Sequence, residues 1–304
     1  MAAIADVVGA SRDGLTHEIR HHAHFLHQDV ANLRSEVREQ LDAHLREQDD
    51  ILQVIYDNEP SQRERLWALR EAPEYAAPFD VPDPLVTVYI PTYTNAAALA
   101  SRSIPSVLAQ TYANFELLVI GDGATPEVEE AARSFDDPRV RFENLRLRGP
   151  YPADHKRRWF VAGTAPDNEA LRVARGHWLA PNGDDDAFTP DHLQVLLDDA
   201  RNRRLELSYG LIRRIAPDGS KQLLGAWPPK AYDFGVQSVL FHRGLRMFQF
   251  ELTDALFGVP GDWGWMRRML RVGVRIGRVN VPVVDYFPSR LWPEDEERPP
   301  GVKQ

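Results

Sequence analysis

Hydrophobic positions along the chain change period more than once, and each change marks an element. Ile19, Ala23, Leu26, Val30, Leu33 and Val37 recur at alternating steps of four and three. This is a heptad seam with leucine at d and small or β-branched residues at a, a choice that favours parallel two-stranded coils. Gln40 and His44 then fall on the seam, and the stripe moves to Leu41, Leu45, Leu52 and Ile55, as a stutter would move it. Residues 14–58 contain no proline, so one long helix is expected there. It serves either self-association or, as an amphipathic helix, packing on the rest of the protein. Pro60 closes it, and Leu66, Trp67 and Leu69 predict a second short helix over 61–72. Pro73, Pro78, Pro82 and Pro84 then read as a stiff linker. The organisation expected is an N-terminal helical segment over 1–80, a folded domain over 81–292 and a flexible tail over 293–304.

Beyond residue 80 strands alternate with helices. Val86–Ile90 is rich in β-branched and aromatic residues and is stopped by Pro91, and Glu116–Ile120 runs into Gly121-Asp122-Gly123. Val140–Phe142 and Trp178–Ala180 predict two further strands. Helices are expected over 96–110, 126–134 and 168–175. This order implies a mostly parallel sheet with helices on both faces, an α/β class. Ligands of such sheets bind beyond the carboxyl ends of the strands. Pro91–Tyr93, Gly121–Gly123 and Asp184–Asp186 all fall at those ends, so one cleft should gather them.

Composition narrows the function. A net charge of −9 argues against general nucleic-acid binding, which draws on a basic field. The absence of cysteine excludes disulfides and thiolate metal sites. No run approaches the roughly 20 apolar residues needed to span a bilayer, and the first residues lack a signal-type apolar core. A cytoplasmic protein is expected, with peripheral membrane attachment left open.

Three consecutive carboxylates, Asp184, Asp185 and Asp186, follow the strand at 178–180. Like charges in a row repel. A Mg²⁺ or Mn²⁺ ion would relieve them, because these ions take oxygen ligands, usually one or two carboxylates plus substrate phosphates. The other reading of the triplet is a solvated acidic turn ahead of the helix start at Thr189-Pro190-Asp191.

Taken in order, the segments Val86–Tyr93, Ser106–Tyr112, Phe115–Gly123, Ala174–Ala180, the acidic triplet and Gly261–Arg268 resemble family 2 glycosyltransferases of GT-A fold, from about residue 83 to 290. The resemblance implies an inverting transfer of a sugar from a nucleotide-diphosphate donor, UDP being favoured, to the hydroxyl of a glycan or other acceptor. It implies Pro91, Thr92 and Tyr93 as the nucleoside loop, Asp122 as the acid that accepts from a pyrimidine, and Lys156 and Arg158 as candidates for the diphosphate. Asp185 and Asp186 match the metal-binding acids, with Asp184 either joining them or contacting ribose. Asp262, before the aromatic helix that starts at Trp263, is implied as general base, and His242 and Trp263 are weaker matches near the diphosphate or acceptor. Three positions depart from the family pattern: Gly121, Gly183 and Gly261 stand where acids are usual. A degenerate nucleotide-sugar-binding or scaffold protein, assembled through its N-terminal helix, is therefore the alternative. Homo-oligomers are expected in either case.

Overall fold

The computed structural model describes residues 2–56 and 58–288, with the side chains of the first helix described at 24–48 and 50–52. The segment 293–304, expected as a tail, lies outside these residues. The chain divides into two units, 1–57 and 58–304.

The first unit is a single helix, α1 (Ala2–Tyr56). At 1.5 Å per residue its 55 residues span about 80 Å. Leu26, Val30, Leu33, Val37, Leu41, Leu45 and Leu52 are all exposed on it.

The second unit opens with α2 (Glu59–Glu71), which has Pro60 in its first turn, and α3 (Ala77–Asp80). The strands and helices then follow in order: β1 (Val86–Thr92), α4 (Ala96–Ala98), α5 (Ile104–Leu108), β2 (Phe115–Gly121), α6 (Pro126–Arg133), β3 (Val140–Asn144), α7 (His155–Val161), α8 (Thr164–Val173), β4 (Trp178–Pro181), β5 (Ala187–Phe188), α9 (His192–Asn202), β6 (Leu207–Ile215), β7 (Lys221–Leu224), β8 (Val239–His242), α10 (Gly261–Val272) and β9 (Ile276–Tyr286). The sheet order is β3-β2-β1-β4-β8-β6-β9-β5, with β7 paired to β6. The first four strands are parallel. β8 joins β4 and β6 antiparallel, β9 runs parallel to β6, and β5 pairs antiparallel with β9. This is the mixed, mostly parallel α/β sheet of the GT-A type.

Alternation along β1 and β2 divides the core in two. Val86, Val88, Ile90, Leu117 and Val119 face one side with Ile104, Val128, Leu193 and Leu196. Tyr89, Leu118 and Ile120 face the other with Leu171, Trp265, Met266 and Met269. Both faces are covered, so the central strands read as unbroken apolar runs. Residues 59–80 pack onto this body: Leu66 and Phe79 are buried, and the Phe79 ring lies edge-on to Trp178. Glu206 ties the same segment down by accepting from Arg70 at 2.8 Å and from the Tyr75 hydroxyl at 2.7 Å.

Two helices differ from their expected form. The run expected over 96–110 is broken between α4 and α5 by a π-helical segment, Leu99–Ser103. Pro105 lies just beyond it and has no N–H to return to Ser101, so regular bonding cannot continue there. The helix expected over 168–175 begins earlier, with α8 starting at Thr164. Gly163 caps it at φ +95°, and Pro166 sits in the first turn, where its missing N–H costs nothing.

Candidate active site

The strand order reverses between β2 and β4 on either side of β1, and the ends of these strands open on a common crevice. The carboxylate of Asp184 closes its floor, accepting from the Thr92 hydroxyl at 2.8 Å and from the Asn95 amide at 3.2 Å. The loop after β1 and the acidic loop after β4 are thereby one unit. Asp122 joins them through its backbone N–H, which donates to the Thr92 carbonyl at 2.8 Å.

The π segment has a function in this geometry. Arg102 Nη1 donates to the Asp185 carbonyl at 2.7 Å, and Ser103 Oγ donates to the Asp186 carbonyl at 2.9 Å. The backbone of the triplet is therefore held by side chains from the loop after β1. Arg102 also lies over the Phe287 ring, 3.8 Å from its centroid.

Asp185 and Asp186 lean over Gly183. A Cβ there would stand 2.8 Å from Asp186 Oδ2 and 3.4 Å from Asp185 Oδ1, so the two carboxylates crowd the place where the family's first acid would begin. Asp186 is 3 % exposed. Burial raises its pKa well above the carboxylate range, and the charges of Asp185 and Asp184 add to this, against the Phe287 N–H and Arg102. Among the described residues no three of His, Cys, Asp or Glu form a ready cage for a metal. The half-buried Asp185, with the enclosed Asp186 beside it, has the donor chemistry for Mg²⁺ or Mn²⁺, which bind through one or two carboxylates and substrate phosphates.

At the β2 end, Asp122 Oδ1 accepts from the Gly149 N–H at 2.9 Å, and burial first, then Asp122, raises the pKa of the Tyr151 hydroxyl. Arg148 Nε lies 3.9 Å from Asp122 Oδ2, and its guanidinium covers the Tyr93 ring 3.8 Å from the centroid. A planar cation thus stacks on the face expected to receive a base. Gly121 is explained by its neighbour. A Cβ there would meet Asn144 Oδ1 at 2.5 Å, and that amide already bonds both the N–H and the carbonyl of Ala124.

Asp262 stands in the first turn of α10. The residue keeps some surface while its carboxyl is largely enclosed by protein. Burial pushes its pKa up to about 6 against the N–H bond from Trp263 (2.7 Å), with the Asp254 charge adding to the rise. Tyr286, at the end of β9, senses the charges of both Asp262 and the triplet. Its hydroxyl is pushed up to about 12 by burial and then by the charges of Asp186, Asp185 and Asp262.

Pro91 is the penultimate residue of β1, paired with Ile120. Lys156 is exposed on α7, and Arg158 turns back to the Ala153 carbonyl at 2.5 Å. His242 is buried among Tyr75, Phe79 and Trp178, between the Tyr75 carbonyl (3.1 Å) and the Gly244 N–H (3.0 Å), and holds structural partners on both ring nitrogens. Trp263 packs at the edge of the core below α10. Of the aromatic stretch at 225–258, Phe234, Phe241, Phe248 and Phe250 are core residues, whereas Trp227 is 53 % exposed. Asn168 clasps Phe250 by two backbone bonds of 2.9 Å. Arg102, Ser103, Arg148, Tyr151 and Tyr286 were not singled out from the sequence. Only Arg148 carried a signal, as a cation ahead of a Gly-Pro turn.

Residues 87–153 match the model described as Glycosyl transferase family 2. The chain is 30 % identical over 117 residues to the putative colanic acid biosynthesis glycosyl transferase WcaA of Escherichia coli (strain K12), covering 38 % of this chain and 37 % of that protein. It is 32 % identical over 128 residues to the UDP-Glc:alpha-D-GlcNAc-diphosphoundecaprenol beta-1,3-glucosyltransferase WfgD of Escherichia coli, covering 42 % and 46 % respectively. The matches thus span under half the length of these relatives. The crystal structure of S. aureus TarS superposes with a TM-score of 0.51 at 15 % identity, over 66 % of this chain and 36 % of that one, a likeness of fold. Family match, relatives and fold agree: residues 87–153 are similar to glycosyl transferase family 2, within a sheet of the GT-A type.

Proposed function

We propose that this domain transfers a sugar from a nucleotide-diphosphate donor, with inversion, to an acceptor hydroxyl. The observation that carries the reading is the placing of Asp262, raised to about 6, within the electrostatic reach of the same Tyr286 hydroxyl as Asp185 and Asp186. A base near neutral pH and a diphosphate-anchoring pair on one cleft are what an inverting displacement requires. Asp262 takes the proton of the acceptor hydroxyl as its oxygen attacks the anomeric carbon. The bond from that carbon to the diphosphate oxygen breaks on the opposite face, and the nucleoside diphosphate leaves with the electron pair. A divalent cation, Mg²⁺ or Mn²⁺, held by Asp185 with Asp186, would supply charge stabilisation for the departing diphosphate. Asp184, bonded to Thr92 and Asn95, holds the loop that presents the pair.

UDP is the nucleotide this cleft suits. Tyr93 offers an aromatic face, Asp122 an acceptor for a pyrimidine imide N–H, and the name of WfgD records a UDP-sugar donor. Arg148, now over Tyr93, would clasp the base or step aside for it. Self-association through α1 completes the reading. Its seam is exposed, and in a parallel pair Asp29 at g faces Arg34 at e of the second copy. No helix among the described residues is long and apolar enough to cross a membrane.

The test is a transfer assay with UDP-sugars and Mn²⁺, comparing wild type with Asp262→Asn. Asparagine keeps the outline of the side chain but cannot take a proton. A loss of about 10²- to 10⁴-fold in turnover with UDP affinity retained is expected. Wild-type turnover by the variant would refute the base.

A further inference from the structure

The face of Tyr93 and the carboxylate of Asp122, just beyond the ends of β1 and β2, are both covered by one side chain. The Arg148 guanidinium lies 3.8 Å from the Tyr93 ring centroid, and its Nε stands 3.9 Å from Asp122 Oδ2. The Tyr151 ring closes a second side, its centroid 5.5 Å from the same group. The backbone that carries Arg148 is fixed. Asp122 Oδ1 accepts from the Gly149 N–H at 2.9 Å, and the Leu145 N–H donates to the Gly121 carbonyl at 2.8 Å. Gly123, at φ +62°, passes so close that a Cβ on it would stand 2.9 Å from the Arg148 nitrogen. Gly149 leaves room for Tyr151, since a Cβ there would stand 2.7 Å from the ring's Cζ. The side chain of Arg148 is held more lightly. It is 38 % exposed, an exposed cation–π contact is weak, and 3.9 Å is too long for a hydrogen bond. A rigid frame thus presents a side chain able to swing aside.

We propose that the Arg148 guanidinium is an internal stand-in for the nucleotide base, and that a nucleotide enters the donor site by displacing it. The proposal rests on the donor-site reading above, in which Tyr93 and Asp122 receive the base. A guanidinium and a base share the two properties this corner selects, a flat face and N–H groups in its plane. At 3.8 Å, Arg148 is in van der Waals contact with Tyr93 and leaves no space for a ring between them. The base and the guanidinium therefore exclude each other. The exchange favours a ligand that replaces both contacts of Arg148. A uracil ring stacks on Tyr93, and its imide N–H at hydrogen-bond distance from Asp122 improves on the 3.9 Å of Arg148. A diphosphate without a base cannot make the exchange. Donor affinity is lowered by the fraction of molecules in which Arg148 covers Tyr93, so recognition of the base becomes the condition for opening the corner.

The test is calorimetric binding of UDP and of pyrophosphate, each with Mg²⁺, to wild type and Arg148→Ala. The variant should bind UDP about 3- to 10-fold tighter than wild type, the gain expected when a competing cation–π contact is removed, while pyrophosphate gains nothing. Unchanged UDP affinity in Arg148→Ala would overturn the proposal. So would weaker binding, which would make Arg148 a residue that holds the nucleotide. Equal gains for UDP and pyrophosphate would overturn it as well, by marking a general effect of charge. A second readout uses the wild-type protein: the Nε–H resonance of Arg148, identified by its absence from Arg148→Ala. The ring current of Tyr93 should displace it from the ordinary arginine range, and saturating UDP with Mg²⁺ should return it there. A resonance that bound UDP leaves in place would overturn the displacement. Wild type binding neither UDP nor GDP would instead overturn the donor-site reading itself.

Discussion

Gly264→Ala sets helix propensity against packing, and the structure says which wins. Alanine is favoured over glycine in a helix interior by about 1 kcal/mol, and Gly264 lies inside α10. A Cβ at this position would overlap the carboxyl of Asp254, which rests flat on the glycine. That carboxyl is buried and bridges Arg268 Nη1 at 3.1 and 3.2 Å, while Arg268 Nη2 donates to the Gln249 carbonyl at 2.8 Å. Displacing Asp254 leaves a buried guanidinium without its charge partner, a change that costs about 3–5 kcal/mol. The net expectation is destabilisation by about 2–4 kcal/mol. Urea unfolding measures it as a fall in midpoint at constant slope. Asp254→Ala supplies the control. Once the carboxyl is gone the added methyl has room, so the double variant should be more stable than the sum of the single effects. A Gly264→Ala protein as stable as wild type, or strict additivity in the double variant, would refute the reasoning.

Three further outcomes follow from the same structure. Asp262 must be ionised to accept a proton and its pKa is raised to about 6, so kcat/KM should fall tenfold per pH unit below about 6. An acid limb near 4 in the pH–rate profile would contradict this. Burial lowers the pKa of His192 and His242 in the folded protein to about 4, from an ordinary value of 6.5. The unfolded chain therefore binds more protons between these values. The stability these groups contribute is complete above 6.5 and is lost as pH falls toward 4, by about 2 kcal/mol each at pH 5. Unfolding midpoints equal at pH 7 and pH 5 would rule this out. Removal of residues 1–57 should convert an oligomer to a monomer in light scattering, and an unchanged mass would show that the α1 seam does not hold copies together.

The first four strands and the acidic loop after the fourth were legible because each rests on local pattern, whereas β5 to β9 and the order of the sheet were not. The central strands read as short apolar runs between turn residues, although β1 runs on through Pro91 to Thr92. Other features rest on long-range contacts. The π segment at Leu99–Ser103 follows from Pro105, which was visible, but its purpose lies 83 residues away at Asp185 and Asp186. Gly121 and Gly183 read as missing acids until Asn144 and Asp186 are seen to crowd them. His242 is a sequence neighbour of cationic Arg243, yet it packs into an aromatic cluster built by Tyr75 and Phe79, over 160 residues earlier.

The central claim is that the crowded carboxylates after β4 bind a nucleotide diphosphate through a divalent cation. It is tested most directly by calorimetric titration of UDP into wild type and Asp185→Ala, each with and without Mn²⁺. Tight binding by wild type only when Mn²⁺ is present, lost in Asp185→Ala, is the result expected. UDP affinity that is the same with and without the metal, or the same in both proteins, would contradict it.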